Sequence, residues 1–141
     1  MDLAVEGARF WLFALSSFDY REAMNGHRNL VVWSLAGELI GAVYVLTESL
    51  PPEELYVATR QIRRAAWSVQ NNIAEGKVRY GRTEMRRFLR ISIGSLAEVD
   101  SMVATHQQLY ELDPEVVAEI NGHRRMINAG LFKLMHGPGR S

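Results

Sequence analysis

Cysteine is absent, proline occupies only four positions, and aromatic residues make up 9% of the 141 residues. Without cysteine there is no disulfide framework, no thiolate ligand and no redox chemistry at sulfur, which suits a reducing cytoplasm, the expected location. Long apolar runs are missing near the start, where Phe10-Trp11-Leu12-Phe13-Ala14-Leu15 falls short of the roughly 20 residues a bilayer crossing needs. No membrane-spanning segment and no membrane partner are therefore expected. Export is not expected either, because Asp2 and Glu6 precede this run and Ser16-Ser17-Phe18-Asp19 follows it, without a basic start or a small-residue cleavage site.

The motifs of common enzyme chemistries are also missing. The chain has no Gly-Lys-Ser/Thr phosphate loop, no His-Glu-x-x-His and no Gly-x-Ser-x-Gly elbow. A carboxylate-bridged di-metal bundle needs Glu-x-x-His on facing helices, and no Glu here has His three residues on. His106 and His123 can approach each other across the turn between the third and fourth helices, but lone helical histidines are more often capped, solvated or hydrogen-bonded than metal ligands. The expectation is a non-enzyme with no catalytic residue, no cofactor and no metal.

What is present is one domain's worth of apolar sequence, 48% of the residues, enough for a single core. Formal charge is balanced, yet its distribution is not. Between Arg60 and Arg90, nine Lys and Arg stand against Glu75 and Glu84 alone, a net of +7 that the rest of the chain offsets. Residues 1–26 read as an N-terminal extension with three open readings: disorder, an extra amphipathic helix docked on the bundle, or a start at Met24 with residues 1–23 read from upstream.

From His27 the helical period is plain. Val32, Ala36, Leu39, Val43, Leu46 and Leu50 alternate steps of four and three, the seam of a helix packed lengthwise on partners. Pro51-Pro52-Glu53-Glu54 breaks and restarts the chain, with proline suited to a first turn and carboxylates facing the positive helix end. Leu55, Thr59, Ile62, Ala66, Val69 and Ile73 predict helix two, ending at Gly76 as a left-handed cap, followed by a loop from Gly76 to Arg82. Thr83 is the expected cap of helix three, whose stripe is Met85, Leu89, Ser92, Leu96, Val99, Val103, His106 and Tyr110. Asp113-Pro114-Glu115 opens helix four, with Leu112 and Val117 placed as a hydrophobic staple and Val116, Ile120, Ile127, Leu131 and Leu134 as its apolar positions. The fold class is all-α: an antiparallel up-and-down four-helix bundle over residues 27–136, with a tail at 137–141. Second apolar stripes, Trp33, Ile40 and Tyr44 on helix one and Phe88, Ile91, Ser95 and Met102 on helix three, point to self-association.

The residues also carry a family resemblance. His27-Arg28-Asn29-Leu30-Val31-Val32-Trp33, the run from Gln61 to Gly76 ending in Asn72-Ile73-Ala74-Glu75-Gly76, and Phe88-Leu89 with Gly94-Ser95-Leu96-Ala97-Glu98 resemble the bacterial four-helix-bundle family named after 23S rRNA intervening sequences. The likeness extends from residue 27 to about 135; Trp67 and Gln70 stand where the family commonly has smaller residues. It implies a bundle often assembled as a homo-oligomeric, pentameric ring, with no established catalytic activity. The family name records gene location and is not evidence of RNA binding. Accessory proteins of diversity-generating retroelements are similar in fold, which by weak analogy adds RNA, DNA or a reverse transcriptase as partners.

Two constellations stand out. Arg64, Ser68, Asn71 and Glu75 share one polar stripe of helix two; with Asn72, Ser95 and Glu98 they form either a structural polar network or a partner site, and Glu98 lies where it can meet Arg64. Lys77, Arg79, Tyr80 and Arg82 in the glycine-flanked loop, with Arg86, Arg87 and Arg90 on the next helix, form a candidate nucleic-acid surface. Arginine forks there suit phosphate, and Tyr80 suits an unpaired base. The alternative for these residues is a solvated face or a set of intersubunit ion pairs, in a protein-interaction scaffold that binds no nucleic acid.

Overall fold

Apolar residues spaced by alternating fours and threes leave one water-averse stripe on each helix, and only mutual burial removes all of the stripes from solvent. A computed structural model describes residues 27–79 and 81–137, and side chains from residue 31 onward. The expectations for residues 1–26, for Tyr80 and for the tail beyond Gly137 lie outside the described residues. Among those described, the chain is all-α, with no strand. α1 is His27–Glu48, α2 Arg60–Val78, α3 Arg82–Leu109 and α4 Pro114–His136. α2 packs most extensively on α3, while α1 packs on α2 and α4, and α4 on α3.

The core holds the predicted seams. Val32, Ala36, Leu39, Val43, Leu46 and Leu50, then Ile62, Ala66, Val69 and Ile73, then Leu89, Leu96, Val99 and Val103 are buried, as are Ile120, Ile127 and Leu131. Each large aliphatic side chain so buried contributes about 1.5–3 kcal/mol. α4 also buries Val117 and Met135, which its predicted stripe omits; Val116 and Leu134 are only partly buried at the edge of the core.

Three local expectations fail, each for a physical reason. The segment after Pro51 does not enter an α-helix directly: Pro52–Glu54 form a 3-10 turn and Leu55–Thr59 a π-helical stretch. The wider π turn shifts the phase of the helix, so Leu55, expected in the seam, is 49% exposed. Gly76 is not a left-handed cap, since α2 continues to Val78. Its missing side chain instead admits α3: a Cβ there would stand 3.3 Å from the Met85 carbonyl oxygen and 3.4 Å from Phe88 Cβ. The left-handed backbone falls at Gly81, with φ of 86°, which takes the N-cap position of α3 and leaves Thr83 inside the helix with no capping bond.

The expectation of no membrane-crossing segment weighed only Phe10–Leu15. Val31–Glu48 of α1, with mean hydropathy 1.4 over 18 residues, is by length and composition apolar enough to cross a bilayer. Its seam residues, however, form part of the bundle core.

Candidate functional site

The basic cluster gathers where α2 ends and α3 begins. Because α2 runs through Val78 and Arg82 opens α3, Lys77 and Arg82 are helical rather than loop residues, and only positions 79–81 connect the two helices. Two of the arginines turn inward onto the end of α4. Arg86 Nε donates to the Met135 carbonyl at 2.8 Å, and the Arg82 guanidinium donates to the Gly137 carbonyl. Carbonyls at a helix C-terminus lack intrahelical donors and carry partial negative charge, so both arginines act there as caps. Arg79 and Arg87 instead face solvent beside Phe88, their guanidinium carbons 4.9 and 4.8 Å from the ring centroid. Each also has an acidic partner within four residues: Glu75 at 3.2 Å from Arg79 and Glu84 at 3.5 Å from Arg87. Exposed pairs of this kind hold their partners weakly. Lys77 and Arg90 are exposed and have no ion pair among the described residues.

The polar stripe divides as well. Ser95 Oγ donates to Ser68 Oγ at 2.8 Å, and Asn72 Nδ2 donates to Ser68 Oγ at 3.1 Å and to the Ser68 carbonyl at 2.8 Å. One turn deeper, Ser92 Oγ donates to the Val69 carbonyl at 2.8 Å, tying α3 to α2 inside the core. Arg64, Asn71 and Glu75 are exposed and stay outside this network. Glu98 does not pair with Arg64, although both line one groove; it accepts from Gln61 Nε2 at 3.2 Å. Next to these residues opens a groove of about 690 Å³ between α2 and α3, with Tyr56, Val57, Arg60, Arg64, Ser68 and Glu98 among its walls.

Sequence reasoning missed two further clusters. Trp67 Nε1 donates to Tyr44 Oη at 3.1 Å, Arg63 lies 4.0 Å from the Tyr44 ring centroid, and Arg63 Nε donates to Thr47 Oγ1 at 2.9 Å. The bulk of Trp67 was the one sequence signal for this α1–α2 contact. At the opposite end from the basic cluster, Tyr110 Oη donates to Glu54 Oε1 at 2.9 Å. That bond raises the Tyr110 pKa, because the phenol proton is held by a carboxylate. His106 beside it is buried, its Nδ1 has no hydrogen-bond partner, and burial lowers its pKa against a smaller opposing pull from Glu54.

His106 and His123 each have other neighbours. His123 Nδ1 lies 3.4 Å from Glu38 and its Nε2 3.6 Å from Glu119, while the His106 ring lies 6.3 Å from that of Tyr110. Among the described residues no three His, Asp or Glu side chains converge to hold a metal.

A comparison with curated proteins finds no match. The family model described as 23S rRNA-intervening sequence protein matches residues 28–132, a span that takes in most of each of the four helices and both polar constellations. With well over half of its length matched, the chain belongs to the 23S rRNA-intervening sequence protein family.

Proposed function

We propose that this protein is a non-enzymatic, homo-oligomeric accessory protein, a ring of antiparallel up-and-down four-helix bundles, that binds RNA or DNA through the basic end at the α2–α3 connection. The observation that carries this reading is the outward set of Lys77, Arg79, Arg87 and Arg90, with two guanidinium groups lying near the Phe88 ring. Cations with only weak surface partners exchange them readily for phosphate, and a ring repeats the patch so that weak contacts multiply. Arg82 and Arg86 serve this surface indirectly, by fixing the end of α4. A five-membered ring is what the resemblance suggests, a cytoplasmic setting suits a cysteine-free chain, and a reverse transcriptase is a partner by weak analogy alone.

A second reading, a protein-interaction scaffold without nucleic-acid binding, is favoured by the open α2–α3 groove with exposed Tyr56 and Val57 beside it. Titration with single-stranded and structured RNA across a salt series separates the two, run beside a variant carrying Arg79→Ala, Arg87→Ala and Arg90→Ala. Oligomer mass is measured for both proteins. Roughly micromolar or tighter binding that weakens steeply with salt, and that disappears in a variant of unchanged mass, is expected. No binding at low salt overturns the nucleic-acid reading and leaves the scaffold.

A further inference from the structure

The α2–α3 groove, about 690 Å³, has the size of a small-molecule site. Arg60 and Arg64 line it from the first two turns of α2, at the end away from Lys77 and the basic cluster. Small residues keep it open: Ala65 and Ser95 are buried in its wall beside Ser68, so little side-chain bulk fills the space between α2 and α3. The π-helical stretch Leu55–Thr59 forms one end and turns Tyr56 outward, 79% exposed. Such turns are rare and occur often at functional sites.

The polar groups of the groove are left unspent by the fold. Arg63 lies over the Tyr44 ring and donates to Thr47, but Arg60 and Arg64 have no hydrogen bond or ion pair among the described residues. They stand four residues apart on one helix face, so two like charges face each other with no acid paired to either. An anion removes that repulsion, and a phosphate accepts from both guanidinium forks. Ser68 adds a donor. Its Oγ accepts from Ser95 at 2.8 Å and from Asn72 at 3.1 Å, which occupies both lone pairs and leaves its own proton without an acceptor among the described residues. Across the groove, Glu98 Oε1 accepts from Gln61 Nε2, which sets Glu98 level with the space between Arg60 and Arg64, and Oε2 has no partner among the described residues. A free carboxylate oxygen in that place suits the hydroxyls of a ribose.

These groups also have an order. Tyr56, Arg60, Arg64 and Ser68 follow one another at steps of four: an aromatic ring, two cations and a hydroxyl, with the acid beside the middle. Tyr56 and Arg64 are eight positions apart, about 12 Å along the helix, a span that one nucleotide bridges. The arginines alone would take any anion, and the carboxylate and the ring add the rest of the selection. We infer that the α2–α3 groove binds a ribonucleotide, with its phosphate on Arg60, Arg64 and Ser68, its ribose hydroxyls on Glu98 and its base against Tyr56. The site is separate from the basic end and does not depend on the nucleic-acid reading given above.

Calorimetric titration of the full chain with AMP, beside dAMP, adenosine and inorganic phosphate, tests this. AMP should bind about tenfold or more tighter than adenosine or phosphate, and Arg60→Ala with Arg64→Ala should weaken it about tenfold or more at an unchanged denaturation midpoint. Glu98→Ala should bring AMP and dAMP to one affinity, and Tyr56→Ala should weaken AMP while leaving phosphate unchanged. Arg79→Ala with Arg87→Ala should leave AMP binding as it is. AMP binding that is lost in this basic-end variant and kept in the groove variant overturns the site. Equal affinity for AMP and inorganic phosphate overturns the nucleotide, and no AMP binding at low salt overturns the proposal outright. With groove binding established, an RNA hexamer that displaces AMP identifies the occupant as a nucleotide of a strand, and one that does not identifies it as a free nucleotide; either result upholds the groove.

Discussion

His106 shows how one side chain can couple the core to solvent conditions. Its imidazole is buried, Nδ1 has no partner, and burial holds the folded-state pKa below the ordinary value. An unfolded histidine takes up its proton near pH 6.5, so below about that pH the unfolded chain binds more protons than the folded one. Stability is therefore full above about pH 6.5 and is lost as the pH falls through it. Urea denaturation between pH 8 and 5 should show a midpoint that declines on the acid side, with a smaller decline in His106→Leu; equal slopes for the two proteins would contradict this assignment. The position of His106 in the α3 seam is legible from its spacing after Val103. Its orphaned nitrogen is not, because that depends on what the rest of the bundle places beside it. Arg82 and Arg86 teach the same lesson in reverse: both read as members of a phosphate-binding set, yet their guanidinium groups end on α4 carbonyls 55 and 49 residues away.

Element boundaries separate according to how local their causes are. The start of α4 is written in adjacent residues: Asp113 Oδ1 accepts from the Glu115 backbone N–H at 2.9 Å, Pro114 opens the helix, Val117 is buried in the core, and Leu112 is partly buried against it. Asp113→Ala should cost about 1 kcal/mol, read as a lower denaturation midpoint with an unchanged slope. Such a cap needs no tertiary information. The start of α2 does. Thr59 is buried, as apolar spacing assigned it, while Leu55, assigned to the same seam, is exposed across the π-helical stretch. The end of α2 is similar, because Gly76 signals a stop in sequence whereas in the fold its bare Cα is where α3 crosses.

All four helices contribute to one core, so the bundle should unfold as a unit. Denaturation followed by far-UV circular dichroism and by tryptophan emission should give coincident midpoints, Trp33 and Trp67 reporting from α1 and α2; separated midpoints would show one helix pair melting first. At this scale the sequence alone determined the all-α class, the helix seams and the charge polarity, because amphipathic periodicity is a property of residues three and four apart. It also carried the family resemblance, since the runs ending at Gly76 and Glu98 are contiguous. Tertiary structure decided which polar groups meet: Gln61 rather than Arg64 with Glu98, Ser95 with Ser68, Tyr110 with Glu54, Arg82 and Arg86 with the end of α4. Hydrogen bonds between residues dozens of positions apart depend on the rotation and relative level of whole helices to within about an ångström. Apolar spacing sets which face of a helix turns inward, and leaves rotation and level to the packing of the assembled core.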